Sequence, residues 1–291
     1  MACSVTSCIS LNTLNMNRYL ALFFFLCILS AHCFAQTRRA LVIGLGEQVD
    51  KSWAKINGDK DVPYVQQMLM TAGYKNVTTL INKQATKAGI VTALKRLTAK
   101  CVAGDIIYIH FSGHGQQVTD VNGDEKDGWD EAWIPYDAYL CYDEKKDKGE
   151  KHLIDDELNT LLTAIRKKIG NDGKMLVVVD ACHSGDSSRG QDDEIVRGVK
   201  EEFVIPIGKK KTAEKLPEQW ITLSACKDYQ LNQEMKNPQV GKLTYTLYTL
   251  SKNGNMTIEQ IQTHMQKHRG RYVQTPVLTG ETSVYNLSDF F

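Results

Sequence analysis

The sequence lacks several features that would each assign it to a class of protein. Its 35 Lys and Arg residues balance 34 Asp and Glu residues, so there is no overall basic field for nucleic acid or an acidic membrane surface. Eight cysteines in 291 residues are too few for a disulfide scaffold. A Gly44-x-Gly46 turn has Val49 in place of the third glycine of a dinucleotide-binding loop. What remains is an ordinary globular composition, with 42% hydrophobic residues.

One long apolar run is present, close to the N-terminus. Arg18 precedes it, the run covers residues 19–31, and a small-x-small sequence ends at Ala35. The run is shorter than the roughly 20 residues that span a bilayer, and this order of features is typical of a secretory signal peptide. We therefore predict a cleaved signal over residues 1–35, with a retained anchor as the alternative. The mature chain is then expected to be exported, periplasmic or secreted, and free of the membrane.

Residues 36–291 alternate between strand-like and helix-like patterns. Short, β-branched apolar runs predict buried strands, and apolar residues at helical spacing predict amphipathic helices. The predicted strands cover 40–44, 77–81, 106–111, 175–179 and 220–223, and the predicted helices cover 59–72, 86–99, 154–168 and a segment that opens at Thr257. The alternation indicates an α/β domain with a mainly parallel sheet and helices on both faces. Two segments, 112–152 and 186–219, interrupt it, and loops of that length are usually functional or disordered.

Two of the predicted strands run directly into reactive residues. One is followed by Ser112-Gly-His114-Gly115, and another by Asp180-Ala-Cys182. Ligands of open α/β sheets bind beyond the carboxyl ends of the strands, so His114 and Cys182 are expected at one edge. His114 can accept the thiol proton, and the N–H groups of Gly115 and Cys182 can form an oxyanion hole. The alternative for Cys182 is a small buried hydrophobic residue or half of a disulfide.

Six motifs extend this pattern over most of the chain. They are Asn57-Gly-Asp-Lys-Asp61, His110-Phe-Ser-Gly-His-Gly115, Asp127-Gly-Trp-Asp-Glu-Ala-Trp-Ile-Pro-Tyr-Asp137, Asp180-Ala-Cys-His-Ser-Gly185, Leu223-Ser-Ala-Cys-Lys-Asp-Tyr-Gln230 and Gln274-Thr-Pro276. Together they resemble the metacaspases among the caspase-like cysteine peptidases, over roughly residues 39 to 280. The resemblance implies a caspase-like three-layer sandwich and a cysteine endopeptidase with Cys182 as nucleophile and His114 as its partner.

The same resemblance implies a preference for substrates. Metacaspases cut proteins and peptides after Arg or Lys and use acidic residues to bind that side chain. By resemblance the pocket for this P1 side chain, the one preceding the cut, is assigned to Asp61, Ser112 and Asp180. Asp59 lies beside Asp61, and helix N-capping is the alternative role for one of the two. There is no arginine between Arg39 and Arg96 that could bind an acidic side chain from this part of the chain.

An acidic stretch over residues 120–131 raises the question of a metal. Asp120, Asn122, Asp124 and Glu131 partly fit an EF-hand loop, but Glu125 stands where that loop needs glycine. A solvated acidic loop is the competing interpretation. The family resemblance implies calcium as a possible activator and no cofactor for catalysis itself. It assigns the calcium ligands to Asp130, Asp155 and Asp156, of which the last two are also helix-start acids.

The charged segment 186–219 follows the nucleophile and contains several basic residues. They are Arg189, Arg197, Lys200 and Lys209-Lys-Lys211. An enzyme that cuts after basic residues could cleave this segment and so mature itself, whereas the alternative is a flexible surface loop.

Two other functions compete with a peptidase that cuts after Arg or Lys: a related peptidase with Asp or other P1 specificity, and an inactive homologue that serves as a binding module. Intact His114 and Cys182 count against the binding module.

Overall fold

A computed structural model describes residues 36–182, 195–206 and 217–291, apart from the single residues 255, 269, 271 and 284. The predicted signal peptide lies outside the described residues, as does much of the 186–219 segment. The strands are β1 Arg38–Gly44, β2 Asn76–Ile81, β3 Ile106–Ser112, β4 Gly115–Thr119, β5 Trp129–Trp133, β6 Leu153–Ile154, β7 Lys174–Asp180, β8 Ile221–Ser224, β9 Glu234–Met235, β10 Val240–Gly241 and β11 Val277–Gly280. The helices are α1 Gly58–Thr71, α2 Lys87–Lys100, α3 Asp155–Ile169, α4 Lys242–Leu250 and α5 Ile258–Lys267.

Six strands form the central sheet in the order β11-β8-β7-β3-β1-β2. Neighbouring strands are parallel, except that β11 runs antiparallel to β8. Gly44, Ser112 and Asp180 pair across β1, β3 and β7, so these three strands end at the same level. The residues that follow each strand therefore meet at one edge of the sheet.

Alternate residues of the strands face two separate hydrophobic cores. Ile107, Ile109 and Phe111 pack with α2 and α3 on one face, while Ile106 and Tyr108 pack with α1, α4 and α5 on the other. The period-two geometry of a strand requires this division, and the nearly continuous apolar sequence of β3 reflects burial on both faces. The result is a three-layer α/β sandwich, which agrees with the fold that the family resemblance implies.

The predicted elements of the sheet are found within two residues of their expected bounds. The capping box at Thr257 is present, with its hydroxyl accepting from the Gln260 N–H and the Gln260 side chain accepting from the Thr257 N–H. The 112–152 segment is more ordered than a loop, because β4, β5 and β6 form a small antiparallel sheet there. Across the described part of the chain, the helices are too short or too polar to cross a membrane.

Candidate active site

His114 and Cys182 lie at the carboxyl edge of the central sheet. Each is two residues beyond a member of the Ser112–Asp180 pair, which joins the ends of the adjacent parallel strands β3 and β7. Both side chains are buried, with exposed fractions of 0% and 1%. The topology thus brings the predicted base and nucleophile to one edge, as the sequence pattern indicates.

The His114 imidazole has a defined orientation. Its Nε2 lies 2.8 Å from the backbone carbonyl oxygen of Ala54, and the Trp53 ring packs against it with centroids 5.1 Å apart. Because a carbonyl oxygen can only accept, Nε2 carries the proton and Nδ1 keeps its lone pair. That Nδ1 is buried and has no hydrogen-bond partner among the described residues. Burial lowers the pKa of His114 to about 4, so the ring is a neutral proton acceptor at neutral pH.

The thiol and the backbone N–H of Cys182 both donate to backbone carbonyl oxygens. Its thiol donates to the carbonyl oxygen of Gln230 at 2.9 Å, and the thiol of Cys226 donates to the same oxygen at 3.3 Å. The backbone N–H of Cys182 donates to the carbonyl oxygen of Arg197 at 2.8 Å. Cys182 and Cys226 are free thiols, as are Cys101 and Cys141. Cys182 is therefore not part of a disulfide in this structure.

Arg197 occupies the pocket that the sequence assigned to a basic side chain. Its Nη1 and Nη2 donate to the two carboxylate oxygens of Asp61 at 2.6 and 3.1 Å. The Asp180 carboxylate lies 3.4 Å from Nη1, and Glu234 accepts from Nε at 3.0 Å. The charged atoms of all four side chains are at most 2% exposed. A guanidinium is thus bound by three carboxylates in a site closed to solvent.

The pocket exists because of where its carboxylates lie on the fold. Asp61 is in the first turn of α1, and Asp180 ends β7 on the side of the sheet that α1 and α4 cover. The start of α4 supplies further donors: Thr244 N–H and Oγ1 bond to Asp180 at 2.9 and 2.6 Å, and Gly241 N–H bonds to Asp61 at 2.9 Å. A side chain at Gly241 would put its Cβ 2.7 Å from Arg197 Nη1, so glycine keeps the pocket open.

The electrostatics of the pocket depend on its ionic partners. Burial alone would lower the pKa of Arg197, but Asp61, Asp180 and Glu234 together raise it well above its ordinary value. Burial likewise raises the pKa of Asp180, and Arg197 with hydrogen bonds from Thr244 and Asn232 outweighs it, leaving that pKa lowered. Arg197 and Asp180 therefore favour each other's charged form, whereas burial outweighs Arg197 at Asp61 and leaves the pKa of that carboxyl raised.

The remaining predicted pocket residues have distinct positions. Ser112 is fully buried, and its hydroxyl lies 3.0 Å from Nε2 of His110 beneath the pocket. Asp59, the alternative to Asp61, lies outside the pocket, where it accepts hydrogen bonds from the Lys60 N–H and the Asn82 side chain. Gly115 begins β4 and forms a parallel bridge with Gly198, next to the Arg197 carbonyl group.

Residues 195–206, here called the linker segment, lie along the site in two parts. The first part pairs with the chain before β9: Val196 forms an antiparallel bridge with Gln233, and Arg197 N–H donates to the Asn232 carbonyl at 2.9 Å. The second part follows β4, where Phe203 N–H donates to the Gln117 carbonyl at 2.8 Å. The linker segment therefore crosses the carboxyl edge of the central sheet, and Arg197 lies where it passes Cys182.

The acidic stretch forms a second cluster, with α3, away from this pocket. Carboxylate oxygens of Asp120, Asp124 and Asp130 lie within 4.8 Å of one another. Asp130 is 2% exposed, and one of its oxygens and both of Asp124 have no hydrogen-bond partner in the described chain. Burial, with charge repulsion from Asp155, Asp156, Asp120 and Asp124, raises the pKa of Asp130 to about 8. The predicted ligands Asp130, Asp155 and Asp156 thus lie near one another, and two further acids join them.

Sequence reasoning missed two features of the site. It named Arg197 as a possible cleavage point but did not place it in the pocket, and it did not include Glu234 among the pocket residues. The one signal for Glu234 was its acidic side chain, four residues beyond the motif that ends at Gln230. Its pairing with Arg197 depends on a contact between residues 37 positions apart, which spacing alone does not reveal.

Comparisons with known proteins identify the family of the chain. The chain is 28% identical to Metacaspase-1 of Plasmodium falciparum over 265 residues, 81% of this chain and 39% of that protein. It is 31% identical to Metacaspase-1 of Eremothecium gossypii over 51% of this chain and 32% of that protein. The chain thus spans 32% to 39% of the length of these relatives.

Solved structures share the fold. The crystal structure of protein GSU0716 from Geobacter sulfurreducens matches with a TM-score of 0.62 and 26% identity, over 87% of this chain and 98% of that one. Caspase-1 from Spodoptera frugiperda matches with a TM-score of 0.55 and 12% identity, over 84% and 86% of the two chains, which supports the fold alone. The family model described as metacaspase, peptidase C14 domain, matches residues 38–188. The chain therefore belongs to the metacaspase family of C14 cysteine peptidases.

Proposed function

We propose that the protein is a cysteine endopeptidase that cleaves proteins and peptides after Arg or Lys, processes itself, and is activated by calcium. One observation carries the specificity: the Arg197 guanidinium is bound by Asp61 and Asp180 while its own carbonyl oxygen accepts from the N–H of Cys182. A substrate residue at P1, the position before the cleaved bond, would need both contacts at once. Its side chain would bind the carboxylates, and its carbonyl oxygen would accept from the N–H of Cys182. An acidic P1 residue would instead add negative charge to a buried site that already holds three carboxylates.

The proposed chemistry uses the lone pair of His114 Nδ1 and requires the Cys182 thiol to leave the Gln230 carbonyl oxygen to which it donates. Nδ1 of His114 takes the thiol proton, and the Cys182 thiolate attacks the P1 carbonyl carbon. The N–H groups of Cys182 and Gly115 stabilise the oxyanion. His114 then gives its proton to the leaving amine as the C–N bond breaks, and water hydrolyses the acyl-enzyme, restoring thiol and neutral imidazole.

Self-processing is proposed at the Arg197–Gly198 bond. The Arg197 carbonyl lies against the Cys182 N–H, and a Cβ added at Gly198 would lie 3.3 Å from the Cys182 sulfur. This bond is therefore close to the nucleophile, and the segment occupies the position of a substrate. Until Arg197 leaves the pocket, no external P1 side chain can enter it.

Calcium is proposed to bind at the acidic cluster. Carboxylate oxygens are the ligands that Ca²⁺ prefers, and the buried, unpartnered oxygens of Asp124 and Asp130 fit a cation better than a solvated loop. Asp120, Asp155 and Asp156 would complete the acidic surroundings. The bound ion would neutralise the mutual repulsion of these acids and so fix β4 and β5, which flank the linker segment.

The deciding experiment compares matched fluorogenic peptides with Arg, Lys or Asp at P1, each with calcium and with a chelator. We expect turnover of the Arg and Lys peptides only, with a higher rate in calcium. In parallel, the intact chain should split after Arg197, and Cys182→Ala should remain intact. Faster turnover of the Asp peptide would refute the pocket assignment, and processing that persists in Cys182→Ala would refute self-cleavage.

Export is part of the proposal and has its own test. Expression in a secreting host and N-terminal sequencing should give a mature chain that begins at Gln36. A chain that keeps residues 1–35 and remains with the cells would contradict it.

A further inference from the structure

We propose that Glu234 makes the pocket select arginine over lysine at P1, because it binds the guanidinium Nε, where a lysine side chain has a methylene group. The inference rests on the proposed cleavage after basic residues and adds to it a ranking of the two side chains. No motif of the sequence analysis includes Glu234.

The three carboxylates contact the guanidinium group at different nitrogen atoms, and only Nη1 is near two of them. Asp61 accepts from Nη1 and Nη2, at the far end of the side chain, and Asp180 lies near Nη1. Glu234 alone accepts from Nε, at 3.0 Å, on the inner edge of the fork. A lysine has a single terminal nitrogen and carries methylene groups where arginine has Nε. It can therefore reach Asp61 and Asp180 but offers Glu234 no donor.

Glu234 is held in place independently of Arg197. Its Oε1 accepts the backbone N–H of Asn57 at 2.7 Å, and its Oε2 accepts from the Asn57 side chain. Its own backbone N–H donates to the carbonyl of Ile195, two residues before Arg197. The Glu234 side chain is 2% exposed, so burial and the Asn57 donors hold its carboxylate in the pocket when its cationic partner is missing.

The consequence for selectivity follows from desolvation. With arginine bound, the buried carboxylate of Glu234 has a charged hydrogen-bond partner, whereas with lysine it has only the neutral donors of Asn57. A buried charge that loses its partner is costly, so the lysine complex is weaker. A pocket with Asp61 and Asp180 alone would accept both side chains, since each presents a terminal cation.

The first test measures kcat/KM on peptides that differ only in P1 Arg or Lys. In Glu234→Gln we expect the Arg-to-Lys ratio to fall at least about tenfold, mainly through the Arg peptide, which is the order of one charged hydrogen bond. Glu259→Gln, an exposed glutamate in the first turn of α5, serves as the matched control and should keep the wild-type ratio. Asn57→Ala removes one support of Glu234 and should lower the ratio by less. Equal losses on both peptides in Glu234→Gln would overturn the proposal.

A second test does not depend on peptidase activity. In the uncleaved Cys182→Ala chain, Arg197 itself is the side chain in the pocket, so a double-mutant cycle can combine Arg197→Lys with Glu234→Gln. We expect Glu234→Gln to lower Tm clearly more when residue 197 is Arg than when it is Lys. Additive changes in Tm would overturn the inference about Glu234. Absence of any Arg or Lys peptide turnover, with coupling present in the cycle, would instead refute the proposed function and leave the pocket contact standing.

Discussion

The proposed P1 pocket and the acidic cluster both contain buried or partly buried carboxylates, but the surroundings of these carboxylates differ. In the pocket, Asp61 and Asp180 accept backbone N–H and hydroxyl donors, and Arg197 supplies a cation. In the cluster, Asp130 is almost fully buried beside four other acids, and burial with their repulsion raises its pKa to about 8. The pocket holds three acids and the cluster five, and the two sites also differ in the donors that surround these acids. The pocket carboxylates are stabilised by hydrogen-bond donors of the protein itself, whereas the cluster has too few such donors to stabilise its carboxylates.

This difference leads to opposite expectations for the same substitution. Replacing an acid by its amide in the pocket removes half of a buried ion pair, which is costly. The same change in the cluster removes a buried carboxyl that has no cationic partner in the described chain, which relieves strain between like charges. The predictions below test this contrast.

The largest effect is expected for Asp61→Asn. The amide cannot balance the charge of an arginine at P1, so kcat/KM for the Arg peptide should fall about 100-fold, and cleavage after Arg197 should slow equally. Asp59→Asn is the matched control, because Asp59 lies two residues away and outside the pocket. Peptide kinetics and denaturing gels measure both effects. Equal activity of the two variants would remove Asp61 from the pocket.

A smaller effect, of opposite sign, is expected for Asp130→Asn. In a chelator this variant should have a Tm about 2–4 °C above that of the unmodified chain, since it no longer buries a carboxyl among acids. Calcium should raise the Tm of the unmodified chain and leave that of the variant nearly unchanged. Asp127→Asn, at an exposed acid of the same loop, should behave like the unmodified chain. Thermal unfolding with and without calcium measures the change, and a lower Tm for Asp130→Asn in chelator would contradict the contrast.

The smallest effect is a pH dependence of stability. Asp130 has a folded pKa of about 8 against an ordinary value of 3.8, so between these values the folded chain binds more protons than the unfolded one. Its contribution to stability therefore declines as the pH rises through this window. Buried His110 and His114, whose pKa burial lowers to about 4, act in the opposite direction, because stability falls as the pH drops from 6.5 toward 4.

The comparison of two chains separates these contributions. Tm measured against pH in chelator, for the unmodified chain and Asp130→Asn, should differ by an increment in favour of the variant that grows from pH 5 to pH 8. The histidine contribution is common to both chains and cancels. A difference that stays constant over this range would show that Asp130 does not titrate as described.

Much of the fold and the catalytic edge was predictable because local pattern determined it. Buried strands such as β3 and β7 are nearly all apolar, and the capping box at Thr257 marks the start of α5. Helix α4 was not predicted, since Thr and Tyr supply five of its nine residues and both favour strands. Burial against α1 and α5 overrides that preference.

The contacts of the P1 pocket were predictable only in part. Asp61 and Asp180 belong to recognisable motifs. Asp180 reaches the site because β3 and β7 end at the same level of the sheet. The Arg197–Glu234 pair depends on how the linker segment crosses the sheet edge. No periodicity or spacing encodes that path, because it is set by long-range backbone pairing and burial.

Phe203 gives the linker segment a second point of attachment, beyond the catalytic edge. It is fully buried among Trp53, Val118 and Ala132, and its ring lies 4.1 Å from that of His152. A break in the chain after Arg197 would therefore leave residues 198–206 attached to β4 through the bridge between Val118 and Phe203. The two pieces would migrate separately in a denaturing gel and together through a sizing column.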